Sequence, residues 1–207
     1  MTTSADSKRV LRALRRYGLL LEADADLPSV GGLVAGRAIR GSWWGHPAGH
    51  AIFAVCELLH ARDDVLATKL IHGKVTYVDE RLWPAHLGVA TSNRAWQRRA
   101  LSVEARSLLA RVRRRGLLRL DAVPQPARAL RLPVRELESR LLVHSASVHS
   151  ERGKHVKQLQ SWRSWMQREA WTGPPAGWNV AVHAFEEAAR QLESGAARAQ
   201  VRFPWQD

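Results

Sequence analysis

Residues 65 to 78 read VLATKLIHGKVTYV, and no other stretch constrains the fold as much. Leu66, Thr68 and Leu70 alternate with Val65, Ala67 and Lys69, the two-residue period of a strand. His72-Gly73 supplies a turn, because glycine takes a positive φ at no steric cost. Val75 and Tyr77 then fall in a return strand. Upstream, Ile52, Val55, Cys56 and Leu59 recur at i, i+3, i+4 and i+7, and Pro47 suits a first helical turn. That spacing predicts a helix over about 47 to 62.

A helix followed by a tight hairpin with a basic tip is the closing part of a winged helix. In that variant of the helix-turn-helix the hairpin lies along nucleic-acid phosphates. Lys74, with His72 beside it, is the expected phosphate contact of the tip. A hairpin that only covers a core is the alternative.

Charge points the same way. The formal net charge is +13, from 32 Lys and Arg against 19 Asp and Glu. Of the basic residues, 27 are Arg, as a GC-rich coding sequence produces. Base composition does not decide where they sit. Lys8, Arg9, Arg12, Arg15 and Arg16 fall in one stretch without an acid. Residues 94 to 119 hold nine Arg and only Glu104. Outside these two segments the chain is formally neutral. Localised positive charge favours polyanions, and DNA is the leading partner, with RNA not separated from it.

The remaining periodicity is mostly helical. SKRVLRALRRYGLLL, 7 to 21, predicts a helix with Val10, Leu11 and Leu14 on one side, ended by Gly18. Pro28 opens a short helix that glycines break. Helical stretches follow from Leu82 to Ser92, in a short turn at 94 to 100, and over 102 to 115. For the last of these Ser102 is the N-cap, Glu104 suits the helix dipole and Gly116 is the stop. Leu117 to Leu120 reads as a strand. VPQPARALRLP, 123 to 133, is the expected linker. It separates a basic winged-helix-like domain, 1 to 122, from a helical region, 134 to 207, with helices over Val134–Val143, 154–170 and Val180–Ser194. No internal repeat is evident. The fold class is mainly α-helical α+β.

Within this frame Arg94, Arg98, Arg99, Arg106, Arg111, Arg114 and Arg115 are the expected nucleic-acid contacts, joined by Arg12, Arg16 and Lys74. Arginine forks pair with phosphates and with guanine edges. Trp96, among these arginines, is expected to be partly exposed and able to stack on a base. The segment SVHSERGKHVK, 147 to 157, is the best candidate for chemistry. His149, Glu151 and His155 suit general acid–base work, and Arg152, Lys154 and Lys157 around Gly153 suit a phosphate clamp. An exposed polar loop is the alternative there. His46 and His50 are four apart, but Pro47 stands where a zincin carries Glu, so no metal is expected. No phosphate-loop, dinucleotide or nucleophile-elbow motif appears, and no cofactor is expected.

Residues 42 to 84, from Ser42-Trp43 through the hairpin to Asp79, Glu80-Arg81 and Pro84, resemble a winged-helix segment of the AlkZ-type bacterial DNA glycosylases. Those enzymes contain several winged helices and excise alkylated bases, using a Gln-x-Gln motif. The resemblance implies a role in DNA repair or nucleoid-associated work, and it adds Gln158 and Gln160 of Gln158-Leu159-Gln160 to the catalytic candidates. A basic scaffold for an acidic protein is the third expectation. The single Cys56, the lack of an apolar leader and the lack of a spanning stretch place the expected protein in the cytoplasm, at the nucleoid, with no membrane partner.

Overall fold

The computed structural model describes residues 3–149, 155–196 and 199–206. The protein is mixed α+β, 51% helical and 14% strand, with two small three-stranded antiparallel sheets. Among the described residues no helix is long and apolar enough to cross a membrane.

The first sheet belongs to the sequence α1 (Thr3–Tyr17), β1 (Leu19–Leu21), α2 (Val30–Ala35), α3 (Gly49–His60), β2 (Val65–Lys69) and β3 (Val75–Asp79). Its strand order is β1-β3-β2, with Leu20 and Ala67 both opposite Tyr77. Helix, strand, two helices and a hairpin, with the first strand closing the sheet, is the connectivity of a winged helix. The hairpin turns as its sequence predicts. His72 and Gly73 adopt φ of 51° and 65°, and Lys74 N donates to Ile71 O at 2.9 Å. Two successive positive φ values match the right-handed twist of the flanking strands.

A related arrangement follows. After α4 (Trp83–Ala90) and α5 (Ala95–Arg98) come α6 (Val103–Arg115), β4 (Leu117–Arg119), α7 (Ala127–Ser139), β5 (His144–His149) and β6 (His155–Gln160). The second sheet has the order β4-β6-β5, so again the strand after the first helix pairs with the last strand of the hairpin. The two units thus share a sheet order, but where the first has two helices between its opening strand and its hairpin, the second has a 3-10 turn (Leu120–Ala122) and α7. Helices α8 (Trp162–Arg168) and α9 (Trp178–Glu193) complete it.

Three apolar clusters hold these layers. In the first unit Val10, Leu14, Leu20, Ile52, Val55 and Tyr77 fill the space between the helices and one face of the sheet. The other face sends Leu19, Leu21, Leu66 and Val78 into a second cluster with α4, α8 and α9. Both faces of the sheet are thus covered, which is why Leu19, Leu20 and Leu21 are all fully buried. A third cluster, with Leu108, Val112, Leu130, Leu137 and Leu159, is the core of the second unit.

Three expectations change. The first helix ends at Tyr17, before Gly18 as expected, but 19–21, read with it, is a strand. Residues 127–133, expected in a linker, begin α7, with Pro133 inside the helix. Proline there loses a backbone bond at a cost of about 3 kcal/mol, offset by burial of Leu130, Val134 and Leu137 around it. Finally, 154–170 is not one helix: β6 runs to Gln160, and Ser161 caps α8 by accepting from Ser164 N at 3.2 Å. The region read as helical therefore supplies two strands, and β6 pairs with β4 from the other side of the expected linker.

Candidate nucleic-acid interface

Helix α6 is built as its sequence predicts. Ser102 Oγ accepts from Ala105 N at 3.1 Å, and Gly116 ends the helix at φ 74°. Ala105, Leu108, Leu109 and Val112 are buried, which forces the intervening arginines outward. Arg106 donates to Leu101 O at 2.7 Å, and Arg111 to Gln125 Oε1 at 3.0 Å. Arg113, Arg114 and Arg115 are exposed, and among the described residues none of them forms an ion pair.

Helix α7 supplies what the sequence reading missed. With Leu130, Val134 and Leu137 turned to the core, the opposite face carries Arg128, Arg131, Leu132 and Arg135. Leu132 is 70% exposed, and the three arginines have no carboxylate partner among the described residues. In the second unit α7 occupies the position of the recognition helix, the one that enters the major groove in helix-turn-helix proteins. The spacing of 128, 131 and 135 was present in the sequence, but the Pro-bearing segment around it argued for a linker.

The first unit differs. Its corresponding helix, α3, exposes His50, Phe53, Glu57 and Leu58, and no Lys or Arg lies on it. The hairpin tip is also occupied. Lys74 Nζ lies 2.6 Å from Asp24 Oδ2, and His72 N donates to Arg202 O at 3.3 Å. Burial pushes the Asp24 carboxyl up, but Leu27 N–H, Lys74 and Asp26 N–H together hold it below its usual value. The charge of Lys74 is thus already matched by the protein itself, which removes most of its attraction for phosphate.

The other expected contacts scatter. In α1, Arg9 pairs with Asp6, Arg15 lies 3.7 Å from Asp64, and Arg16 rests on the Tyr17 ring. Arg12 is exposed. The Arg94 guanidinium sits 4.2 Å above the Trp178 ring, while Arg98 and Arg99 are exposed. Trp96 is half-buried, as expected, and packs toward Trp205.

The segment singled out for chemistry straddles a hairpin. Glu151, Arg152 and Lys154 lie outside the described residues, as does the side chain of His149. His155 and Lys157 alternate along β6 with Gln158 and Gln160, so strand pleating puts the two sets on opposite faces. His155 is exposed near Ser147 Oγ. Lys157 does not stand free as a clamp. Glu138 receives Lys157 Nζ at 2.5 Å, Lys69 Nζ at 2.6 Å and Ser145 Oγ at 2.6 Å, joining α7 to both hairpins. Burial raises the Glu138 carboxyl, but Lys157, Lys69 and Ser145 outweigh it and hold it below the usual range. Gln160 is 2% exposed, and its Oε1 has no hydrogen-bond partner among the described residues. Of the expected acid–base set only His155 is described with its side chain, and it lies on the face of β6 opposite Gln158 and Gln160.

Other reactive groups are closed off. Cys56 is buried, and burial pushes its thiol up to about 12, so no thiolate forms at neutral pH. His46 Nδ1 accepts from Ala48 N at 3.1 Å, a local turn before α3. No group of three His, Cys, Asp or Glu is arranged to hold a metal ion among the described residues. Comparison of the chain with protein-family models, with curated proteins and with solved structures finds no match.

Proposed function

We propose that this protein binds duplex DNA through its second, winged-helix-like unit, with α7 in the major groove, its arginines reaching base edges and the phosphates that line the groove, and the arginines of α6 on flanking phosphates. The observation that carries this is the outward face of α7, where Arg128, Arg131 and Arg135 lie without internal partners among the described residues. Unpaired guanidiniums on one helix face repel each other until a polyanion neutralises them. The winged-helix connectivity of the first unit and the matching sheet order of the second are consistent with the likeness to the AlkZ-type glycosylases, and with it a place in DNA repair or nucleoid-associated work. Base excision is the second reading: of its candidates on β6, His155 lies on one face and Gln158 and Gln160 on the other, and Gln160 is buried.

The test is fluorescence polarisation with a labelled duplex of about 20 base pairs, a length that spans two turns of groove. Affinity should fall steeply with salt. The triple variant Arg128→Ala, Arg131→Ala, Arg135→Ala should bind at least about 100-fold more weakly, since each well-placed arginine contributes about 1–3 kcal/mol. An RNA duplex should bind less well, because its deep, narrow major groove excludes a helix. Salt-independent binding, or a triple variant with unchanged affinity, rejects the proposal.

A further inference from the structure

Between the two units lies a cavity of about 560 Å³. Its walls come from four separate places: the first hairpin tip with His72, α5 with Trp96 and Arg99, the end of α7 with Arg140, and the C-terminal segment with Arg202 and Phe203. Pockets that hold small ligands are typically about 300–1,000 Å³, so the space suits one nucleotide. We infer that this cavity is a binding site for a nucleoside monophosphate, the phosphate held by Arg99, Arg140 and Arg202 and the base lying against Trp96.

The lining divides by chemistry. Three arginines and one histidine line the cavity, and neither Asp nor Glu contributes to it. Arg140 is held in place: its Nη1 donates to Trp96 O at 2.6 Å, and its own carbonyl accepts from Gln97 Nε2 at 3.3 Å. Arg99 and Arg202 are exposed and form no ion pair among the described residues. Arginines that line one cavity without a carboxylate partner are suited to a dianionic phosphate, which accepts paired donors. The apolar side is aromatic. Phe203 is buried, Trp96 is half-buried, and the indole N–H of Trp96 has no acceptor among the described residues. An aromatic face stacks on a base for about 1–3 kcal/mol. An inorganic anion would use only the cationic side and an apolar ligand only the other, whereas a nucleotide uses both.

The location adds a source. Ser139 also lines the cavity and lies one helical turn beyond Arg135 on the same outward side of α7. The arginine face of α7 therefore leads to the cavity mouth. The ligand is either a free nucleotide or the phosphorylated end of a strand lying on α7. The chemistry recognised is the same in both cases, and only the second needs α7 to meet DNA.

Isothermal titration calorimetry of the full chain separates these possibilities. Deoxyadenosine monophosphate should bind at one site, and deoxyadenosine or inorganic phosphate alone should each bind at least about tenfold more weakly. The double variant Arg99→Glu, Arg202→Glu should lose nucleotide binding by a further factor of about 100 or more. Both positions are exposed, so its thermal melting should match the parent. The α7 triple variant should keep nucleotide binding. A duplex with a 5′-phosphate that binds more tightly than its 5′-hydroxyl counterpart, with the preference lost in the double variant, assigns the strand end. Equal binding of the two duplexes assigns the free nucleotide. The inference is overturned if the nucleotide does not bind, if phosphate alone binds as tightly, or if the double variant binds unchanged. DNA binding that still depends on α7 would then leave the proposed function standing.

Discussion

Glu138 is a carboxylate only 3% exposed on its side chain, in a chain where most charge faces water. It persists as an anion because two ammoniums and a hydroxyl converge on it. Replacing Glu138 by Gln leaves Lys69 and Lys157 without their counter-charge. Both are about a third exposed and can turn to water, which limits the damage. The expected loss is about 1–3 kcal/mol, read as a lower midpoint in urea denaturation at constant slope. Two histidines act in the opposite sense to ordinary surface ones. His86 packs between Trp162 and Phe185, and burial first, then the nearby His144, pushes it down to about 3. His144 is likewise pushed down to about 3, mainly by burial and then by Arg168 and His60. Both stay neutral in the folded state near pH 6, where the unfolded chain takes up protons. Their contribution is therefore complete above about pH 6.5 and is lost as pH falls, at about 1.4 kcal/mol per pH unit per histidine. Glu138, held below its usual value, adds to the loss at lower pH. Denaturation midpoints measured from pH 7 to 4 should show this decline, and His86→Leu should reduce the slope by about one proton. A flat profile would mean that the two rings reach water.

Elements were legible where a local signal and the tertiary environment agree. Ser102 and Gly116 bound α6 in sequence and in space, and His72-Gly73 forms the turn its residue types require. Elements were lost where burial on two sides erased the period. Leu19-Leu20-Leu21 alternate between two cores, so all three are apolar and extend the helical pattern before them. In β6, Val156 and Leu159 happen to fall in helical spacing with Trp162 and Met166 beyond it. Helix α7 hid behind Pro133, and with it the arginine face that now anchors the proposed interface. The cavity was invisible for another reason: its walls lie more than one hundred residues apart in sequence, from His72 to Arg202. Element packing gives its own test at Gly88 in α4. A Cβ there would come within 2.2 Å of Ala176 O, and Ala176 N donates to Pro84 O at 2.8 Å. The close approach of helix and loop backbone needs a residue without a side chain. Gly88→Ala should destabilise the protein by about 1–3 kcal/mol despite its better helix propensity, as measured by thermal or urea unfolding. A gain in stability would mean that the 173–177 loop yields freely.

At the scale of the whole molecule, the two basic stretches of the sequence belong to different units. Helix α1 packs on α2, α3 and α9, whereas α6 packs on α7 and the second sheet. They also differ in how far their charge is already spent. Arg9 and Arg15 of α1 lie beside Asp6 and Asp64, and Arg81 donates to the Arg15 carbonyl. On α7 no such partners exist for Arg128, Arg131 and Arg135 among the described residues. A polyanion gains most where guanidiniums are free, because only there does contact release condensed counterions without breaking an internal pair. The salt dependence of DNA binding reports this directly. The slope of log affinity against log salt changes by about 0.9 for each phosphate contact removed. The α7 triple variant should therefore flatten the slope by about 2–3, and Arg12→Ala with Arg15→Ala in α1 by less than about 1. Equal flattening by both sets would mean that the units present one continuous cationic surface to the duplex. Flattening by α1 alone would move the interface to the first unit, against the apolar and acidic face of α3 and the occupied tip of its hairpin.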